Sequence, residues 1–325
     1  MRKHMWIGVL FAAVCLYYAF RGISLQEFCV VLMRARPGPI VAAIAMYLVC
    51  YYLRAERWSV LMQPIRPLSA SVLFWPMIIG FFANNVLPLR MGEFVRAHVS
   101  GTKCGISRTA SLGTILLERI CDTISFLTTF LVASYFYPFP HPHYMEKGAW
   151  LLGSACLGVI AALILIRLHE ARFHKILEAC PLPTAWKTRI RNTTTHFIHS
   201  TSGITQPRYV IEAMFLSMII WVMEGTFLYL MARAFVIDLK YAGAFFLLFA
   251  IGLSVTLPQA PGYVGTYELF GVTALTLLGI PKAQGLPVVL AIHGMQFIFI
   301  TILGFLGLWK EGLSFHSMAS TTDPS

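Results

Sequence analysis

The chain has 325 residues, of which 58% are hydrophobic and 12% are charged, and its mean hydropathy is +0.71. About a quarter of the residues in soluble domains are charged, so this composition excludes an ordinary soluble domain and indicates a polytopic membrane protein. The net charge of +11 comes from basic residues that punctuate the apolar runs instead of forming one stripe, and we therefore expect no nucleic-acid partner.

About eight apolar segments follow one another along the chain. Six approach spanning length and predict full transmembrane helices over residues 5–20, 40–58, 109–136, 148–166, 209–232 and 286–309. The first is predicted to be a retained span and not a signal peptide, because no small-x-small cleavage site precedes Arg21. We expect an all-α membrane domain over residues 1–310, followed by a flexible tail over residues 311–325.

Two further apolar segments are interrupted by helix-breaking residues. Residues 68–89 are expected to break at Asn84-Asn85 and at Pro88, and residues 241–280 are expected to break around Pro261. Gly262 and Gly265 belong to this second break. Broken helices at matching places in two halves are the means by which many transporters build a site near the midplane of the membrane. The sequence therefore predicts two broken or re-entrant helical hairpins with a site between them.

The basic residues predict an orientation. If both broken segments enter and leave on one side, both termini and residues 54–66, 90–108 and 167–208 face the side that holds most of the Lys and Arg. Cytoplasmic connectors carry such an excess, so we expect cytoplasmic termini and a re-entrant first segment. Residues 167–208 are spaced to form short amphipathic helices on the membrane surface.

Ionisable side chains are concentrated over residues 81–122, between apolar segments. Because an unpaired ion is costly inside a bilayer, such residues usually face the interior of a helix bundle and pair there. Arg119 can reach Asp122, three residues on, which leaves Glu118 for a partner such as Arg90 or Arg96. The candidate substrate-binding residues are Asn84, Asn85, Arg90, Glu93, Arg96, Glu118, Arg119 and Asp122, together with Glu268 after the second break.

Each of these features also has a structural interpretation. The charges at 118–122 could be an ion-pair network that clamps the bundle, and the asparagine pair at 84–85 could cap a broken helix. The stretch at 90–96 could be a basic helix bound to anionic lipid. In the functional interpretation, the arginines bind a lipid phosphate through their forked guanidinium groups.

Two polar residues of the later spans are candidate proton-relay residues. Glu224 has apolar sequence neighbours, and a buried acid there could relay protons or hydrogen-bond between helices. His293 could do the same, or could join helices together with Gln296. We expect no metal site and no cofactor, because the seven cysteines form no CxxC pair and no phosphate-binding loop is present.

The same polar stretches carry the motifs of a known membrane family. The pattern N-N-x-L-P-x-R-x-G-E-x-x-R-A begins at Asn84, L-E-R-x-x-D begins at Leu117, and P-G-x-x-G-x-x-E begins at Pro261. In their order and spacing, the chain resembles the transmembrane, flippase-like domain of the lysylphosphatidylglycerol synthase family over residues 5–310. The resemblance implies the stand-alone membrane part, without the cytosolic domain that transfers an aminoacyl group from tRNA to a lipid.

Three functional hypotheses follow. The first is a translocator that moves an anionic, polyprenyl, sugar-bearing or amine-bearing lipid between the leaflets of the inner (plasma) membrane. The second is a membrane-embedded transferase with Glu93 or Glu118 as a base, although the sequence contains no recognisable catalytic motif. The third is a non-catalytic partner that recruits a glycosyltransferase or synthase through residues 167–208. The oligomeric state is left open.

Overall fold

The computed structural model describes residues 14–22, 24–87, 91–137, 147–151, 153–159, 206–256 and 260–313, with isolated residues between 161 and 191. The described chain is mostly helical, and it contains no strand. The all-α polytopic fold predicted from the sequence is confirmed. The helices are α1 (Leu25–Met33), α2 (Pro37–Met62), α3 (Ala70–Val86), α4 (Gly92–Cys104), α5 (Arg108–Phe136), α6 (Pro207–Ala234), α7 (Tyr241–Thr256), α8 (Thr266–Leu277) and α9 (Lys282–Glu311).

Helices α2, α6 and α9 are long and apolar enough to cross a membrane. Helix α5 is similar in length, with 29 residues, or about 43 Å, but it carries several charged residues. The other two predicted spans, residues 5–20 and 148–166, lie partly outside the described residues. Their described parts, residues 14–20 and most of 147–159, are helical.

Helix α2 is longer than the sequence predicts. The sequence predicts this span over residues 40–58, but the helix begins at Pro37, which occupies the first turn, where its missing N–H is not needed. The helix then continues past residue 58 to Met62. Arg54 and Arg57, expected near the end of the span, therefore lie more than one turn before the end of the helix.

Helices α3 and α4 form the first hairpin, and both of its ends lie on the same side of the bundle. The guanidinium group of Arg66, just before α3, donates a hydrogen bond to the carbonyl oxygen of Cys104, the last residue of α4. The two limbs are in close contact, because a Cβ atom on Gly92 would overlap the carbonyl oxygen of Gly80. The first broken segment is therefore re-entrant in the structure.

The structure also corrects two details of this hairpin. Asn84 and Asn85 do not break α3, which continues to Val86, and Pro88 lies outside the described residues. Residues 92–104 are not a surface stretch, because they form the returning limb of the hairpin and bury Arg96.

Helices α7 and α8 form the second hairpin, joined by a tip at residues 260–265. A Cβ atom on Gly243, near the start of α7, would lie 3.4 Å from the side chain of Leu278, which directly follows α8. The tip contains the predicted helix breakers Pro261, Gly262 and Gly265. Gly262 and Gly265 have φ values of +72° and +92°, which glycine adopts without steric penalty.

The two hairpins open on opposite sides of the bundle. The open end of the second hairpin immediately precedes Lys282, at the start of α9, whereas Lys103, at the open end of the first, pairs with Glu311 at the end of α9. The tips meet near the middle of this helix, since Gly262 lies against the carbonyl oxygen of Asn85 and the ring of Phe297. We call the side of Arg66 and Glu311 the first side, and the opposite one the second side.

The helices that precede the two hairpins are also antiparallel. The backbone N–H of Arg36, just before α2, donates a hydrogen bond of 2.8 Å to the carbonyl oxygen of Ala234, the last residue of α6. Helix α2 therefore runs from the second side to the first, and α6 runs in the opposite direction. Among the described helices, α2 to α5 and α6 to α9 each form one long helix, one hairpin and one further long helix, and the two sets have opposite orientations.

Candidate functional site

A cavity of about 450 Å³ lies where the two hairpin tips meet, and helices α2, α3 and α5 to α9 contribute to its wall. Aromatic rings make up much of this wall; they belong to Tyr47, Tyr51, Phe81, Phe126, Trp221, Tyr263, Tyr267 and Phe297. Six of the residues singled out from the sequence also line it: Asn84, Asn85, Arg119, Asp122, Glu224 and His293. We call this space the central cavity.

Glu118 is fully buried beside the central cavity and contacts three guanidinium groups. Arg96 donates two hydrogen bonds to its carboxylate, at 3.0 and 2.8 Å. Arg57 lies 3.3 Å from the same carboxylate, and Arg119 forms a further close ion pair with it. The expected pairing of Glu118 with Arg96 is present, and it joins the first hairpin to α5.

Asp122 lies one turn further along α5 and joins this helix to α2 and α6. It accepts a hydrogen bond from Arg57 and another, of 2.9 Å, from the indole N–H of Trp221. Arg119 lies 3.4 Å from Asp122, as the spacing of the two residues predicts. Arg57 also donates to the hydroxyl of Ser217, at 2.8 Å. These contacts tie three helices together next to the cavity.

A second buried ion pair crosses the cavity wall between α2 and α6. Arg54 donates a hydrogen bond of 2.7 Å to Glu224, so the acid identified in the sequence has a cationic partner 170 positions away. We call these seven residues the buried charge cluster: Arg54, Arg57, Arg96, Glu118, Arg119, Asp122 and Glu224.

Sequence reasoning missed the part that Arg54 and Arg57 play. Both were expected at the cytoplasmic end of a span and were given no role in the site, since basic residues at the end of an apolar run usually mark the cytoplasmic side. The signal that could have identified them is the apolar pattern that resumes at Leu61 and Met62, which extends the helix by a further turn. Three residues apart on α2, Arg54 and Arg57 then lie on one face of that helix.

Within the charge cluster, two arginines are directed at the central cavity. Arg54 and Arg119 line it, and the Arg119 side chain is 34% exposed, whereas that of Arg57 is fully buried. The buried Nε atoms of all four arginines of the cluster have no hydrogen-bond partner among the described residues. Asp122 and Glu224 face the same space, so the cavity presents donors and carboxylates to a ligand.

Asn84 combines two roles at the tip of the first hairpin. Its side-chain oxygen accepts a hydrogen bond of 2.8 Å from the backbone N–H of Gly92, so it caps the start of α4 from the neighbouring helix. Its amide nitrogen lies 3.5 Å from the carboxylate of Glu93. Glu93 also acts electrostatically on Arg119. Arg90, which was predicted to share this site, lies outside the described residues.

Glu268 is separated from the other predicted binding residues. It is 2% exposed and does not line the central cavity. Its carboxylate accepts a hydrogen bond of 2.6 Å from the backbone N–H of Gly265 and contacts Nδ1 of His293 at 2.5 Å. The structure therefore brings Glu268 to the second hairpin tip and to His293. No group of three His, Cys, Asp or Glu residues in the described chain could hold a metal ion.

Comparison with known proteins agrees with this architecture. Residues 5–304 match the family described as the lysylphosphatidylglycerol synthase TM region. The chain belongs to this family. A UPF0104 membrane protein of Methanocaldococcus jannaschii is 24% identical over 318 residues, which cover 93% of this chain and 92% of that protein. No solved structure matches the chain.

Two UPF0104 membrane proteins of Methanothermobacter thermautotrophicus are also similar. One is 24% identical over 279 residues, covering 82% of this chain and 81% of its own length. The other is 21% identical over 313 residues, which cover 87% of this chain and 88% of its own length. The match to the family extends over both hairpins and the buried charge cluster, and the protein is an integral, multi-pass membrane protein.

Proposed function

We propose that this protein is a translocator that moves a phosphate-bearing amphipathic lipid between the two leaflets, with the head group in the central cavity. The observation that carries the proposal is the position of that cavity, at the meeting point of two hairpins that open on opposite sides. Transporters built from inverted repeats bind their substrates in this position.

The lining of the cavity supports a head group that contains a phosphate. Guanidinium groups bind phosphate oxygens with two parallel hydrogen bonds, and Arg54 and Arg119 line the cavity. Asp122 and Glu224 face the same space and would meet amine or hydroxyl groups of the substrate. Aromatic rings around them offer faces to a cation or apolar contact to the first carbons of the lipid.

The helix directions support an orientation of the protein in the membrane. Helix α6 begins on the first side, so the basic connector over residues 167–208, which precedes it, adjoins that side. The positive-inside rule then favours a cytoplasmic first side, with both termini there, in the plasma membrane. Most of this connector lies outside the described residues, and its predicted surface helices and its proposed enzyme partner stay predictions.

The test is leaflet exchange in liposomes that contain the purified protein and a panel of head-group-labelled lipids. The panel includes zwitterionic, anionic and polyprenyl phosphate lipids, and mass spectrometry follows each lipid. We expect protein-dependent exchange of a phosphate lipid without a change of mass. Arg119→Gln should slow this exchange by about tenfold or more, because a hydrogen bond to a charged group contributes about 1.5–3 kcal/mol.

Arg208→Gln is the matched control, since Arg208 is an exposed arginine that pairs only with Glu212 in the described structure. It should exchange lipid at the wild-type rate. Both variants should be compared with the wild type by thermal unfolding, so that misfolded protein is not scored as inactive. Lack of exchange across the panel, or full exchange by Arg119→Gln, would contradict the proposal. A change in lipid mass would indicate a transferase instead.

A further inference from the structure

The tip of the second hairpin is held by two side chains that also contact each other. Glu268, on α8, accepts a hydrogen bond from the backbone N–H of Gly265, at 2.6 Å. His293, on α9, lies 2.8 Å from the carbonyl oxygen of Gly262 through Nε2, and 2.5 Å from Glu268 through Nδ1. The ring of His293 is held by stacking on Tyr267, at a centroid distance of 4.3 Å. Both ends of the tip therefore depend on this pair.

The hydrogen-bond chemistry of these contacts requires a proton. The carbonyl oxygen of Gly262 can only accept, so Nε2 of His293 must carry hydrogen. Nδ1 then faces the Glu268 carboxyl group at hydrogen-bond distance, and this contact needs a proton on one of its two atoms. The pair is either an imidazolium with a carboxylate or an imidazole with a carboxylic acid. Each state holds one proton more than a neutral histidine beside a carboxylate.

We propose that Glu268 and His293 form a proton-binding site, in which one shared proton holds residues 261–265 against α9. Without this proton, the neutral ring has a single N–H for two acceptors, and it must release either Glu268 or the carbonyl oxygen of Gly262. The bound proton therefore stabilises the observed tip, and its loss at higher pH frees the tip. Proton occupancy is fullest at low pH and falls as the pH rises.

Release of the tip changes the wall of the central cavity. Tyr263 and His293 both line that cavity, and Gly262 lies against the carbonyl oxygen of Asn85 in the first hairpin. Tyr263 has a φ of +63°, a backbone conformation that non-glycine residues rarely adopt, and the pair opposes its relaxation. In the proposed translocator, on which this part of the inference rests, the proton is the coupling ion that opens one wall of the head-group site.

Other titratable groups face the pair from the surrounding helices. Cys15, on the helical residues 14–20, interacts electrostatically with Glu268. Glu224 of α6 and Tyr51 of α2 act on Tyr267, the ring stacked on His293. Glu224 is already paired with a cation, Arg54. Among the described residues around the tip, Glu268 and His293 are therefore the groups whose protonation decides its hydrogen bonds.

The test is hydrogen–deuterium exchange of the full-length protein in nanodiscs, read on peptides that cover residues 260–268. Protection is corrected for the intrinsic exchange rate between about pH 6 and about pH 9. In the wild type, we expect the tip amides to lose protection by about tenfold or more as the pH rises, because a hydrogen bond is lost. A peptide over residues 110–117, in α5, should show no such change.

Glu268→Gln can form all of these hydrogen bonds and has no titratable proton. The amide oxygen of the glutamine accepts from the backbone N–H of Gly265, and its amide N–H donates to Nδ1 of His293. We expect high protection of the tip at every pH. His293→Phe retains the stacking ring but loses both contacts, and we expect low protection at every pH. Glu212→Gln, an exposed acid on α6, is the control and should behave as the wild type.

Constant tip protection in the wild type would overturn the inference, and so would a pH response that survives in both Glu268→Gln and His293→Phe. If one of these variants does not fold, the other still decides between the outcomes. The measurement does not depend on transport. A pH-dependent tip in a protein that exchanges no lipid would leave the proton site standing and refute the proposed function alone.

Discussion

Glu118 is the residue on which the charge cluster depends. It is fully buried, and its carboxylate contacts Arg57, Arg96 and Arg119. Arg96 also lies over the ring of Trp58, at 3.6 Å, so a cation–π contact supports the same guanidinium group. A carboxylate can be retained inside a membrane bundle only when such partners replace its hydration.

We expect Glu118→Gln to destabilise the protein strongly. Removal of this charge leaves Arg57 and Arg96 buried with fewer counter-charges, and breaking a buried ion pair typically costs about 3–5 kcal/mol. Thermal unfolding in detergent, followed by fluorescence, measures the effect. Glu212→Gln removes one partner of an exposed pair and should change stability by less than about 1 kcal/mol. Equal unfolding temperatures for the two variants would contradict a central role for Glu118.

The residues of this cluster were predictable to different degrees. Glu118, Arg119 and Asp122 are ionisable groups within an apolar segment, and that property is visible in the sequence. Their partners on other helices are not, since Arg57 pairs with Asp122 65 positions away. The sequence also assigned Glu268 to the substrate site. It could not show how far this side chain lies from the cavity, because that distance depends on how the helices pack.

At the scale of elements, apolar runs predicted the helices well where polar residues mark the ends. Span 109–136 is found at Arg108–Phe136, and span 209–232 at Pro207–Ala234. Hydrophobicity alone could not separate a membrane-embedded amphipathic helix from a surface one. The stretch at 90–96 therefore kept two interpretations, a binding site and a basic surface helix, although Gly80 and Gly92 allow α4 to lie directly against α3.

Close packing of α9 against α3 gives a prediction for two glycines of one helix. A Cβ atom on Gly304 would overlap the ring of Phe82, whereas a Cβ atom on Gly294 would have nothing within 4 Å. We expect Gly304→Ala to destabilise the protein by about 1–3 kcal/mol through overpacking. Gly294→Ala should be neutral or stabilising by up to about 1 kcal/mol, because alanine favours the helix.

Thermal unfolding of both variants under the same conditions distinguishes steric overlap from a general effect of alanine in α9. A Gly304→Ala protein as stable as Gly294→Ala would mean that α3 and α9 can separate without loss. In that case the first hairpin would not be held against α9 at this point, and the close contact would have no energetic importance.

At the scale of the whole molecule, the two halves have the same order of elements and opposite directions. Helix-breaking residues predicted a break in each half, and the basic connectors predicted that the first broken segment returns to its own side. That segment was expected over residues 68–89, whereas the hairpin in the structure includes α4 as its returning limb. The meeting of the tips at Asn85 and Gly262 was not predictable, because it depends on contacts between segments about 180 positions apart. The cavity that supports the proposed function arises from this meeting.

The opposite orientation of the hairpins predicts which connectors are accessible from each face of the membrane. A short epitope inserted after Gln63 and one inserted after Gly105 should be accessible from the same face, because the first hairpin returns between them. An epitope after Asp238 should be accessible only from the other face, next to the second hairpin. Antibody labelling of intact and permeabilised cells measures this. Labelling of the first two epitopes from opposite faces would mean that α3 and α4 together cross the membrane once. It would contradict the hairpin and remove the basis for a cavity between opposed tips.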